Sequence, residues 1–152
     1  MKLTLLAVGD KPPAWAQEAT AEYLKRMPRA ELVTVKPERR SNQPAEALKA
    51  AEAARLLERI PAGARLVALD EHGAQVSTRE LAEHLRRWEA DGRDVCLVIG
   101  GADGLAPDLL ARAEQKLALS RLTLPHALAR VLLAEQLYRA VSLNAGHPYH
   151  RE

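Results

Sequence analysis

The six residues Asp94–Ile99, DVCLVI, are apolar at every position after the first and run straight into Gly100-Gly101. A strand that is apolar without alternation has both faces covered, which places it inside a parallel sheet with helices above and below. Parallel neighbours need long crossovers, usually helical, so the rest of the chain should alternate strand with helix. Lys2–Val8 reads as a buried strand ending at Gly9-Asp10. Pro12 and Pro13 suit the first turn of a helix to about Met27, with Trp15, Ala19, Tyr23 and Met27 at core spacing. Glu31–Lys36 is a second strand, and Ala45–Ile60 an alanine-rich helix stopped by Pro61-Ala62-Gly63. Arg65–Leu69 is a third strand closing on Asp70-Glu71-His72-Gly73. Ser77-Thr78-Arg79-Glu80 has the form of a capping box, followed by Leu81, Leu85 and Trp88 and stopped by Asp91-Gly92. After DVCLVI, Pro107-Asp108 opens a helix to about Gln115. Leu117–Leu124 is a fifth strand, and a long apolar-faced helix follows Pro125-His126. The alternation predicts one α/β domain over residues 1–152, with a mostly parallel sheet, helices on both faces and right-handed crossovers.

At 152 residues and 47% hydrophobic the chain can bury one good core. No apolar run approaches membrane-spanning length, and Met1–Val8 is too short for a signal peptide. The single Cys96 excludes an internal disulfide and a cysteine-based zinc site and fits a cytoplasmic setting. A net charge of +2 is too mild to argue nucleic-acid binding from the total. The loop Pro37–Pro44 is the most polar segment. Its Arg39-Arg40 pair suits either phosphate contact or a solvated surface.

In parallel sheets ligands meet the carboxyl ends of the strands. Three ends stand out: Leu69-Asp70, Gly100-Gly101 and Leu124-Pro125-His126. The glycine loop reads G-G-x-x-G, not G-x-G-x-x-G, and no P-loop lysine follows. A dinucleotide or triphosphate site therefore has little support. The histidines lack metal-ligand spacing, Ser120 and Ser142 lack a nucleophile elbow, and no carboxylate pair aims at one point, so no metal is expected. The terminal segment Tyr149–Glu152, behind Gly146 and Pro148, offers a stacking ring, an imidazole and a guanidinium. It reads as a tail that serves a ligand and contributes little to the fold.

Taken together, KLTLLAVG, DVCLVIGGADGL, LSRLTLPHALARVLLAEQLYRA and the terminal HPYHRE resemble the SPOUT-class ribosomal RNA large-subunit methyltransferase H family over essentially the whole chain. Residues 37–62 match poorly, and nothing about them follows from the resemblance. The resemblance implies a deep trefoil knot over about residues 95–145, a homodimer and S-adenosylmethionine as donor. It also implies methylation of N3 of pseudouridine-1915, in helix 69 of 23S rRNA within the assembled ribosome. The donor site it implies comprises Leu69, Gly100, Gly101 and Gly104 with Leu119, Ser120, Arg121, Leu122, Thr123 and Leu124. Adenine is then read by backbone groups. His126, Arg130, Tyr138, Arg139, Tyr149, His150 and Arg151 would face the substrate.

The sulfonium methyl is already activated, so such chemistry rests on positioning and charge. The acceptor is an imide-like N–H that must lose its proton. His150 or His126 is placed to take it, and Arg151 or Arg130 to hold the anion. Two other readings stay open: a non-catalytic ribosome-binding homodimer that keeps the fold, and a generic nucleotide-binding enzyme.

Overall fold

The computed structural model describes residues 1–9, 11–39 and 42–151, with the backbone alone for His150 and Arg151. Five parallel strands form one sheet: β1 (Leu3–Val8), β2 (Ala30–Val35), β3 (Arg65–Gln75), β4 (Val95–Ile99) and β5 (Gln115–Ala118). The order across the sheet is β2-β1-β4-β3-β5. The intervening helices are α1 (Ala14–Leu24), α2 (Ala45–Arg59), α3 (Thr78–Asp91), α4 (Pro107–Arg112) and α5 (His126–Ala145), followed by a 3-10 turn at Pro148–Arg151.

Period-two alternation along the strands makes two cores. Leu3, Leu5 and Ala7 of β1 join Val95, Leu97 and Ile99 of β4 under α1, α3 and α5. Leu6, Val8, Cys96 and Val98 face α2 and α4 on the other side. Both faces of β4 are therefore covered, as its unbroken apolar run requires. Burial pushes the Cys96 thiol up to about 12, so it stays protonated as a small core residue. The capping box is present: the Ser77 hydroxyl accepts from Glu80 N at 3.1 Å, and Glu80 Oε1 accepts from Ser77 N at 2.9 Å. Gly92 closes α3 in the left-handed conformation.

Four expectations are corrected. β3 does not stop at Leu69. It shifts register between Leu69 and Ala74 and continues to Gln75 against β5, so Asp70–Gly73 forms a bulge. The fifth strand is Gln115–Ala118, because its pairing to β3 ends at Gln75↔Ala118, and Leu119–Pro125 is loop. α4 is correspondingly shorter and ends at Arg112. Trp15 is 54% exposed, since Ala16 and Thr20 are the buried residues of α1.

Candidate active site

From β1 the chain steps outward to β2. It then crosses to β3 and returns to place β4 beside β1. The switch point is thus the crevice between the carboxyl ends of β1 and β4, where Gly9 and the glycine loop stand. The loop is closed by its own backbone: Gly104 N donates to Gly101 O at 3.0 Å, and the two residues form an antiparallel bridge. A Cβ on Gly100 would stand 2.7 Å from the Gly104 carbonyl carbon, so only glycine permits this closure. Beside Gly104 there is open space.

Gly101 turns inward. A Cβ there would stand 3.1 Å from Glu52 Oε1 and 3.1 Å from Val8 Cγ1. Glu52 is a buried carboxylate on α2, and its Oε2 accepts from Glu38 N at 2.9 Å. Sequence reasoning passed over it. The available signal was a glutamate inside the stripe Leu48–Glu52–Leu56, at four-residue spacing on the face α2 buries.

Across the crevice α5 contributes His126 and Arg130. A Cβ on Gly9 would lie 3.3 Å from Arg130 Nη2 and 3.9 Å from His126 Nε2. His126 is exposed at the mouth. Arg130 is 1% exposed and braces the end of β1, donating from Nη2 to Gly9 O at 3.0 Å and Val8 O at 3.3 Å. Its Nε and Nη1 are buried with no protein partner among the described residues, and desolvation pulls its pKa below the ordinary guanidinium value. Leu69 packs half-buried at the last β3–β4 pair. In the loop beyond β5, Leu119, Ser120 and Leu124 are half-buried, whereas Arg121, Leu122 and Thr123 are exposed. Leu122 N donates to Ser120 Oγ at 2.9 Å. Arg121 and Thr123 bond no other backbone group among the described residues, leaving main-chain donors and acceptors open to a ligand.

Tyr149 lies elsewhere on the same chain. It packs against Tyr138 (4.6 Å between centroids) and Tyr23 (6.4 Å), beneath the Arg139 guanidinium at 4.8 Å. Its hydroxyl donates to Glu135 Oε1 at 3.3 Å, and burial pushes its pKa above the usual phenol value. The expectation that the tail contributes little to the fold therefore fails for Tyr149. Glu135 lies nine residues beyond His126 on α5, about 14 Å along the helix axis. One chain does not bring Tyr149 to the crevice. The side chains of His150 and Arg151, like Arg40 and Glu152, lie outside the described residues. No group able to hold a metal ion occurs among the described residues, and no helix there is long and apolar enough to cross a membrane.

A parallel sheet with a glycine-closed loop at its switch point and open main-chain groups beside it defines an α/β fold with a candidate ligand site at the carboxyl ends of its strands. The family described as "Predicted SPOUT methyltransferase" matches residues 1–150. A protein of Methylibium petroleiphilum named ribosomal RNA large subunit methyltransferase H is 56% identical over 156 residues, covering 100% of both chains. Among solved structures, a "Probable Methyltransferase" from Bordetella pertussis Tohama I superposes with TM-score 0.57 at 23% identity, covering 92% of this chain and 96% of that one. A Legionella pneumophila protein solved in complex with the bound cofactor SAM gives TM-score 0.50 at 12% identity over 93% and 66%. These two share the fold. The chain belongs to the ribosomal RNA large subunit methyltransferase H family of SPOUT methyltransferases.

Proposed function

We propose that the protein transfers a methyl group from S-adenosylmethionine to N3 of pseudouridine-1915, in helix 69 of 23S rRNA within the assembled ribosome, in the cytoplasm. Full-length identity of 56% to a relative of that family carries the reading. The glycine loop and the open backbone of residues 119–124 support it. Leu69, Gly100, Gly101, Gly104 and Leu119–Leu124 hold the donor, which supplies an activated methyl. The crevice fits this group, because the space beside Gly104 is free and Arg121 and Thr123 offer unused main-chain groups. His126 at the mouth, or His150, takes the imide proton. Arg151 holds the developing anion, and Arg130 keeps the end of β1 in place.

The distance between Tyr149 and the crevice supports a site shared by two copies, with the tail of one chain reaching the donor loop of the other. The half-buried Leu128, Val131 and Leu132 and the 37% exposed Val141 leave α5 with apolar surface for that partner. The C-terminal part is then the family's knot. Sedimentation at micromolar concentration is expected to give about twice 16.7 kDa; a monomer would remove the shared site. The function is tested by transfer of labelled methyl to ribosomes and to free subunits lacking the modification. Binding of ribosomes without turnover would favour the non-catalytic homodimer.

A further inference from the structure

The end of β2 and the last turns of α2 enclose a groove of about 610 Å³. Lys36, Arg39, Arg55 and Arg59 line it with Glu38 and Glu58, four cations against two carboxylates, so this one groove carries as much positive charge as the whole chain's net +2. Its internal pairing uses up one cation and one anion: Arg55 Nη2 donates to Glu38 Oε2 at 2.6 Å, and Nη1 to Lys36 O at 3.0 Å. The side chains of Lys36, Arg39 and Arg59 are exposed and make no hydrogen bond or ion pair among the described residues, and beside them stand exposed Glu58 and the already paired Glu38. No aromatic ring lines the groove, so it offers charge without stacking. Such a surface holds a phosphate backbone and does not read bases.

Its position adds to this. The groove opens at the carboxyl edge of the sheet, the edge that carries the glycine loop. Glu38, in its wall, donates its N–H to Glu52, and the Glu52 carboxylate rests against Gly101. The groove and the donor loop are thus built on one shared side chain.

We propose that this groove carries the phosphodiester backbone of RNA flanking the methylated nucleotide. The inference rests on the RNA substrate proposed above. It assigns a binding role to Lys36, Arg39 and Arg59, the last two within the residues 37–62 about which the family resemblance implies nothing.

The test compares wild type, the triple variant Lys36→Glu/Arg39→Glu/Arg59→Glu, and Glu58→Lys. Binding to intact ribosomes and to protein-free 23S rRNA is measured over a salt series, alongside donor affinity and melting temperature. The triple variant is expected to bind both RNAs at least about tenfold more weakly. Its slope of log affinity against log salt should be shallower by roughly 0.7–0.9 for each phosphate that the variant no longer neutralises. Glu58→Lys is expected to tighten binding and steepen the slope, which a misfolded protein would not do. Donor affinity should stay that of wild type in both. Unchanged affinity and slope in the two variants would overturn the proposal. So would weakened binding to ribosomes with normal binding to protein-free rRNA, which would assign the groove to an acidic protein. A wild type that binds no RNA overturns it as well. A wild type that binds RNA through the groove yet transfers no methyl overturns the methyltransferase reading alone.

Discussion

Replacing Gly100 by alanine is expected to weaken S-adenosylmethionine binding by up to about a hundredfold, the scale on which about 1–3 kcal/mol of loop strain translates at about 1.4 kcal/mol per tenfold. Gly100 is not among the positive-φ glycines, so alanine meets no backbone penalty there and the effect is steric alone. Its methyl would stand 2.7 Å from the Gly104 carbonyl carbon and 2.8 Å from its oxygen, and backbone cannot swing aside as a side chain does. The bridge between Gly101 and Gly104 must open, displacing the main-chain groups of the proposed donor loop. Overpacking of this kind costs about 1–3 kcal/mol. For a chain of this size that lowers the melting temperature by about 2–12 °C, leaving a folded protein on which affinity can be measured. Calorimetric titration of Gly100→Ala with the donor checks the claim. An unchanged dissociation constant would make the loop a structural turn. Gly101→Val should act differently, colliding with Glu52 and Val8 inside the protein and costing stability as much as affinity.

The contrast between these two glycines shows how far the sequence could be read. That glycines stood at the switch point followed from DVCLVI running into G-G-x-x-G. Which of them turns inward against the protein did not, because the answer depends on Glu52, 49 positions before Gly101 by subtraction of the residue numbers. Strand and helix order was legible because apolar runs and capping signals are local. The error at β5 has a physical origin: apolar residues recur through LALSRLTL well past Ala118, but strand length is set by the partner, and β3 offers no pairing beyond Gln75. β3 in turn looked finished at Asp70-Glu71-His72, three polar residues that a bulge carries outward before pairing resumes. Trp15 was placed inside by its spacing, although Ala16 and Thr20 set the buried face of α1. The position of His126 and Arg130 beside Gly9 was not legible at all. It depends on contacts separated by more than a hundred residues, such as the bond from Arg130 to Gly9 O.

His150→Ala and Arg151→Ala are each expected to lower methyl transfer to ribosomes about a hundredfold or more, the scale of losing an acid–base group or an oxyanion donor. Melting temperature and donor affinity should stay unchanged in both. The double variant should lose little beyond either single one if the two side chains act as a unit. Tyr149 separates from them on structural grounds. Its ring meets Tyr23, Tyr138 and Arg139, and its hydroxyl reaches Glu135. Ring pairs of this kind contribute about 0.5–1.5 kcal/mol beyond the area they bury. Tyr149→Ala is therefore expected to lower the melting temperature, whereas Tyr149→Phe, which keeps the ring and loses only the hydroxyl, should remain close to wild type. Deleting residues 149–152 combines the two effects and cannot distinguish them, so the single substitutions are the informative measurements. Near-normal transfer by both His150→Ala and Arg151→Ala would remove the tail from catalysis and leave His126, beside Gly9 at the mouth of the crevice, as the remaining imidazole placed to take the proton.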